Sequence, residues 1–211
     1  MIVLVRHGEA ENAGGRAIGQ TDLPLSAAGE RQARTLADSL CCIDYKSFYA
    51  SPLTRTMQTA SYIDQKCAIP PIPCPELQEI NLGKWDGLSF KKIKKDFPEQ
   101  YRMRGKDIAG FRPPGGENFL DLKDRVSEAI NRISSEDTPA VIVTHAGVIR
   151  IVMHLILNFP LENIFKIKPT HCYASIVSKT SHGLTLKAFN IPPGTALSNM
   201  LRQEVPQPDQ F

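Results

Sequence analysis

The sequence predicts an α/β fold, a mostly parallel central sheet flanked by helices on both faces, with a loop-rich lid inserted over one edge. Three observations predict it. Short β-branched runs alternate with stretches whose apolar residues recur every three or four positions, as strands alternating with helices do. The chain has 211 residues, 42% hydrophobic and 22% charged, which is enough apolar material for a core and too much for a disordered chain. Residues 80–115 break the alternation with Gly83, Gly87, Gly105, Gly110, Pro113, Pro114 and Gly115. One domain over residues 1–211 is expected, its lid at about residues 80–118.

Ile2, Val3, Leu4 and Val5 form a first, buried strand. Ser26 is a good N-cap, Glu30 complements the first turn, and Ala33, Leu36, Ala37 and Leu40 continue a helical stripe. Residues 47–50 are a second strand. Ser51-Pro52 reads as an N-cap with proline at the first helical position, opening a helix to about Gln65. Within the lid, residues 89–97 form a short helix. Phe119, Leu122, Val126, Ile130 and Ile133 mark a long helix within residues 116–134. Residues 141–144 are an unbroken central strand, residues 148–157 a helix, and residues 173–179 and 184–190 a closing hairpin around Ser181-His182-Gly183. The tail, residues 191–211, carries Pro192, Pro193, Pro206 and Pro208 and is expected on the surface or disordered.

Several function classes are excluded or disfavoured. The longest largely apolar stretch, residues 148–159, is broken by Arg150, His154 and Asn158, well short of the about 20 residues that span a bilayer. Ile2 to Val5 is followed at once by Arg6, with no cleavable leader pattern, so the cytoplasm is the expected compartment. The five cysteines (Cys41, Cys42, Cys67, Cys74, Cys172) lack CxxC spacing and read as idle thiols in a reducing compartment, signalling neither a zinc site nor a disulfide framework. Net charge is +3. Residues 91–112 hold eight basic residues against three acidic ones, without the aromatic interleaving of a nucleic-acid surface. The lysines read as a solvated face, and Arg102, Arg104 and Arg112 as lid residues that steer an anionic substrate. Trp85 reads as a packing anchor, and His154, His171 and His182 as structural or exposed.

Two histidines stand where chemistry is expected. His7 follows the first strand and His145 the strand at residues 141–144, each beside small residues, and open parallel sheets bind ligands beyond the carboxyl ends of their strands. Arg6 adjoins His7, and Arg55 lies early in the helix after the second strand, near a helix N-terminus suited to an anion. Paired arginine forks and imidazoles at strand ends point to a phosphate pocket.

These residues carry a resemblance. Leu4-Val5-Arg6-His7-Gly8-Glu9 resembles the signature of the histidine phosphatase superfamily, the phosphoglycerate-mutase-like fold. The resemblance continues in order through Thr21-Asp22-Leu23-Pro24-Leu25-Ser26, Ser51-Pro52-Leu53-Thr54-Arg55-Thr56, Glu76-Leu77-Gln78-Glu79-Ile80-Asn81-Leu82-Gly83-Lys84-Trp85-Asp86-Gly87 and Thr144-His145-Ala146-Gly147. It implies that His7 is the nucleophile of a phosphohistidine mechanism and that Arg6, Arg55 and His145 surround the phosphoryl group. It implies Glu79, the second glutamate of its block, as general acid and then base, with Glu76 the competing acid. No metal or other cofactor is implied. Six residues after His7, where the family usually has a phosphate-contacting asparagine, stands Ala13; a one-residue deletion in this loop would deliver Asn12 to the phosphate instead.

The partner implied is a phosphorylated small molecule, with no nucleic acid and no membrane. Three functions follow: a phosphomonoesterase, a cofactor-dependent phosphoglycerate mutase, or a phosphoprotein-binding module. Ile80-Asn81-Leu82-Gly83 after Glu79 departs from the Arg-x-Tyr type stretch of the mutases, which favours a hydrolase. The blocks 81–87, Pro114-Gly115-Gly116-Glu117-Asn118 and Gly147-Val148-Ile149-Arg150 are most similar to α-ribazole phosphatases, which implies α-ribazole 5′-phosphate as substrate in cobalamin biosynthesis. A broad-specificity phosphatase is the alternative.

Overall fold

The computed structural model describes residues 1–136 and 138–204. Along the chain run β1 (Ile2–Arg6), α1 (Ala27–Leu40), β2 (Ser47–Ala50), α2 (Thr54–Cys67), β3 (Ile72–Pro73), α3 (Phe90–Asp96), α4 (Pro98–Lys106), α5 (Phe119–Glu136), β4 (Ala140–Thr144), α6 (Ala146–Leu157), β5 (Ala174–Thr180), β6 (Gly183–Ile191) and α7 (Thr195–Glu204). The strands form one sheet in the order β3-β2-β4-β1-β5-β6. The first four are mutually parallel; β5 and β6 are antiparallel to their neighbours.

Strand side chains alternate between faces, so a strand covered on both sides must be apolar throughout. β4 meets that demand with Ala140, Val141, Ile142 and Val143, all fully buried, and its last residue, Thr144, satisfies its buried hydroxyl by donating to the Leu77 carbonyl at 2.7 Å. Val3, Val5, Val141 and Val143 face Leu36 and Leu40 of α1, Ile63 of α2 and Leu201 of α7. Leu4 and Ile142 face Leu122, Val126 and Ile130 of α5 and Ile149 and Val152 of α6. Arg6 pairs in register with Thr144, so the chain leaves β1 and β4 side by side, and the next residues are His7 and His145.

Local signals account for some element ends and fail at others. Ser26 caps α1 by accepting from the Gly29 amide at 3.0 Å, as its sequence position predicts. Ser51 does not cap α2, which starts at Thr54. Asp22 does that work from a distant loop, accepting from the Thr54 amide at 2.7 Å and its hydroxyl at 2.6 Å. The expected lid helix ends at Phe97 as read, but Pro98 then opens α4 at its first position, where the missing N–H is no loss. Trp85 is buried as expected, stacked 5.2 Å from Phe111 and clustered with Ala17 and Ile93.

Two expectations are corrected. The tail is not loose up to residue 204: α7 buries Leu197 and Leu201 against the α1 side of the sheet, and Ser198 donates to the Ser39 carbonyl. Residues 205–211, with Pro206 and Pro208, lie outside the described residues. The cysteines are not all idle thiols: Cys41 and Cys67 form a disulfide, their Cα atoms 5.1 Å apart. α1 and α2 run side by side in the same direction, which brings their C-terminal ends together although the two cysteines are 26 positions apart in the sequence. Cys42, Cys74 and Cys172 are free thiols. Among the described residues no helix is long and apolar enough to cross a membrane.

Candidate active site

His7 and His145 end their strands with ring centroids 5.1 Å apart, edge to face. His7 is 6% exposed, His145 0%, Arg55 1% and Glu79 9%, so four polar side chains are withdrawn from water at one point. The His7 amide donates to the Thr144 carbonyl at 2.9 Å, fixing the residue against β4. Its Nδ1 lies 2.7 Å from the Gly8 carbonyl, a contact that requires the proton on Nδ1 and leaves Nε2 as the acceptor. That Nε2 faces the Arg55 Nε–H at 3.3 Å. Burial, then the charges of Arg55 and Arg6, hold His7 well below the usual imidazole range. A neutral imidazole whose Nε2 lone pair meets a guanidinium N–H can attack phosphorus once a phosphoryl oxygen takes over that N–H.

Arg55 is held by both terminal nitrogens, which donate to the Thr21 carbonyl at 2.9 Å and the Gly19 carbonyl at 2.6 Å. Arg6 donates through Nη1 to the Pro169 carbonyl at 2.8 Å, and burial lowers its guanidinium to about 10. Its Nε and His145 Nδ1 are buried without a protein partner. His145 Nε2 lies 2.8 Å from the Ser51 hydroxyl. Ser51 is thus occupied by the histidine, which is why it does not cap α2. If the hydroxyl donates, Nδ1 carries the histidine proton and can donate to an anion. Buried orphan donors are expensive unless something completes them.

Glu79 is seated by backbone amides: Oε2 accepts from Gly147 at 3.0 Å and Oε1 from Ile80 at 2.9 Å. A methyl group on Gly147 would overlap the carboxylate, so the glycine is there to admit Glu79. Arg125 secures the loop behind it, donating to the Glu76 and Gln78 carbonyls at 2.8 Å and the Glu79 carbonyl at 3.1 Å, and forks onto Glu117 at 2.9 Å. Glu76, the competing acid, pairs with Arg132 at 3.3 Å and does not line the cavity. Gly147→Ala is expected to lower kcat/KM about 100-fold by displacing Glu79, with the larger loss on alkyl phosphates. Steady-state kinetics on alkyl and aryl phosphates check this; unchanged values would mean that Glu79 does not need its present position.

The cleft has two lobes. One, about 530 Å³, is lined by Arg6, His7, Arg55, Glu79, Asn12 and His171 among others. Asn12, in a left-handed conformation, therefore borders the cavity. His171 corrects the expectation of a structural or exposed ring: it lies 5.5 Å from His7, and burial and Arg6 lower its pKa to about 4. It comes from the turn before β5, which no local signal ties to β1. His154, by contrast, is structural, its Nδ1 2.6 Å from the Phe159 carbonyl beyond α6, and His182 is exposed.

The second lobe, about 380 Å³, shares Arg6 and Glu79 and is walled by Trp85, Tyr101, Phe111, Phe119 and Phe165. Of the three lid arginines expected here, Arg104 lines it. Arg102 pairs instead with Glu99 at 2.8 Å, and Arg112 with Asp121, both exposed and outside the cavity. An i,i+3 partner in the same helix took Arg102, a competition the charge count does not reveal. Arg16 and Arg150, which sequence reasoning did not assign to the site, line the lobe. Among the described residues no group of three His, Cys, Asp or Glu side chains is arranged to hold a metal ion.

The profile of the "Histidine phosphatase superfamily (branch 1)" matches residues 2–192. The 6-phosphofructo-2-kinase/fructose-2,6-bisphosphatase of Arabidopsis thaliana is 34% identical over 181 residues, which are 83% of this chain and 24% of that protein. This chain therefore spans about a quarter of that relative's length. The glucosyl-3-phosphoglycerate phosphatase of Mycolicibacterium vanbaalenii is 30% identical over 172 residues, 77% of this chain and 76% of the relative. Among solved structures, the α-ribazole phosphatase of Shigella flexneri superposes with a TM-score of 0.83 at 26% identity, covering 90% of this chain and 95% of the other. With sheet, pocket and sequence match in agreement, the chain belongs to branch 1 of the histidine phosphatase superfamily.

Proposed function

We propose that the protein hydrolyses a phosphomonoester of a small molecule through a phosphohistidine at His7, within one domain whose residues 80–118 serve as the lid. His7 Nε2 attacks phosphorus; the ester P–O bond breaks, and Glu79, as its acid, protonates the departing alkoxide. Arg6, Arg55 and His145 stabilise the charge on the non-bridging oxygens, and Asn12 borders the same oxygens. Glu79, now a carboxylate, takes a proton from water, whose oxygen attacks the phosphohistidine. Inorganic phosphate leaves and His7 regains its lone pair. The observation that carries this reading is a neutral His7 that lines one lobe of the cleft together with Arg6, Arg55 and Glu79 and sits 5.1 Å from His145. A phosphoryl group in that lobe would meet the nucleophile, the acid and two guanidinium groups at once.

For the substrate, the aromatic wall of the second lobe supports α-ribazole 5′-phosphate, whose benzimidazole nucleoside would lie against Trp85, Tyr101 and Phe111. A second reading has its own observation. Arg104 and Arg150 each lie 5.2 Å from the Phe165 ring, and neither is ion-paired among the described residues. Two cations beside an apolar wall suit a phosphoester that bears a further carboxylate or phosphate. The test is kcat/KM across α-ribazole 5′-phosphate, 3-phosphoglycerate, fructose bisphosphates and simple sugar phosphates. A preference for α-ribazole phosphate of about 100-fold, roughly 3 kcal/mol in transition-state binding, supports the first reading. The same preference for an acid-bearing ester, lost on replacing Arg104, supports the second. Equal rates across the panel leave a broad-specificity phosphatase, and isomerisation of 3-phosphoglycerate that requires 2,3-bisphosphoglycerate makes it a mutase.

A further inference from the structure

Arg55 does not hold itself in place. It leaves the first turn of α2, and both of its terminal nitrogens hang from the carbonyls of Gly19 and Thr21. What holds residues 19–21 is a single carboxylate on the lid side of the cleft. Asp86 accepts from the Gly19 amide at 3.0 Å, the Gln20 amide at 2.6 Å, the Thr21 amide at 3.1 Å and the Thr21 hydroxyl at 2.5 Å. Three consecutive amides on one carboxylate leave the segment no second orientation. The same segment reaches the acid loop, because the Gln20 side chain donates to the Glu79 carbonyl at 3.1 Å. Gly19 is the only residue that fits there: a side chain would overlap the Ile80 carbonyl and crowd Asp86.

Asp86 also joins this segment to the lid. It directly follows the buried Trp85, and on its other side the Gly87 amide donates to the Ala17 carbonyl and the Ala17 amide to the Leu88 carbonyl, both at 2.8 Å. Arg16 adds a bond from Nε to the Gly87 carbonyl at 2.7 Å. The base of the lid and the segment that aims Arg55 are therefore one hydrogen-bonded piece.

We propose that Asp86 is the positioning residue of the phosphate clamp: by fixing the carbonyls of Gly19 and Thr21 it holds Arg55 against His7, and it ties that geometry to the lid. Asp86 touches no substrate; it acts through Arg55. The inference rests on the reading of His7 and Arg55 as the phosphoryl site. Its consequence is that losing the carboxylate harms the phosphoryl step alike for substrates that fill the second lobe and for those that do not.

The experiment is a double-mutant cycle on kcat/KM for p-nitrophenyl phosphate, with inhibition by vanadate and thermal melting recorded for each protein. Asp86→Asn keeps the shape but turns an amide toward backbone N–H groups; Asp86→Ala removes the acceptor and is the second variant. We expect Asp86→Asn to lower kcat/KM about 30-fold, as a misplaced clamp does, and to weaken vanadate inhibition by a similar factor. In an Arg55→Ala background the same change should cost almost nothing further, because the group it positions is gone. Asp86→Glu, which keeps the charge, should recover part of the loss. Equal losses in both backgrounds, or wild-type kinetics in Asp86→Asn, would overturn the proposal. If Arg55→Ala itself costs nothing, the phosphoryl-site reading fails instead, and the two failures are distinct.

Discussion

His7→Ala is expected to release no measurable phosphate from any phosphomonoester, a loss of about 10⁴-fold or more. No other group in the cleft is prepared to take its place. The Gly8 carbonyl fixes the His7 tautomer, and burial with Arg55 and Arg6 keeps the ring neutral, so Nε2 stays unprotonated throughout the physiological pH range and its one contact is with Arg55, a group that also serves the phosphoryl oxygens. His145 is neutral for the same reason but has its Nε2 committed to Ser51. His171 is neutral as well, yet lies on the far side of His7 from Ser51 and His145 in the chain's layout, in the turn before β5. The variant should remain folded, since the sheet core on either side is built from Val3, Val5, Leu4 and Ile142 rather than from His7. Inorganic phosphate should still bind through Arg6 and Arg55. Calorimetry and circular dichroism alongside phosphate release check all three points, and wild-type kcat in this variant would remove the mechanism.

Glu79→Gln should separate substrates by leaving group. Proton donation matters when the departing alkoxide is a poor leaving group and little when it is p-nitrophenolate, so phosphorylation by an alkyl phosphate should slow about 1,000-fold and by p-nitrophenyl phosphate far less. Glutamine can keep one of the two amide contacts, with Gly147 or with Ile80, so the loop stays seated by Arg125. Single-turnover phosphoenzyme formation reads the step directly. Equal losses on both esters would give Glu79 a structural role and reopen Glu76, whose pairing with Arg132 outside the cavity would then need another explanation.

The parts of the site legible in the sequence are those whose chemistry sits on a local pattern. Ile2 to Val5 and Val141 to Thr144 are β-branched runs that end in a histidine, so strand, strand end and candidate side chain are read together, and the register of Arg6 with Thr144 then brings them side by side. Arg55 was legible as an early residue of a helix after a strand; what holds it was not, because Gly19, Thr21 and Asp86 come from two other loops. His171, Arg16 and Arg150 escaped for the same reason: the cleft assembles them from distant segments. Ser51 misled as a cap because its local pattern fits two jobs, and the contact with His145 decided between them. The tail misled in the opposite sense. Leu197, Met200 and Leu201 form a helical stripe, but it is a short one between Pro192-Pro193 and Pro206, and prolines on both sides mask it. The disulfide had no local signal, since it depends on where two helices end.

The central claim is that a covalent phosphoryl group passes through His7. The most direct measurement mixes excess enzyme with a labelled phosphomonoester, quenches in alkali within the first turnover, where phosphohistidine survives, and maps the label by peptide mass spectrometry. The account predicts label on Nε2 of His7, at most one phosphoryl group per substrate molecule consumed, appearing before inorganic phosphate and absent from His7→Ala. Label on the peptide that holds His145 or His171, or steady release of phosphate with no labelled protein at any time, would contradict it.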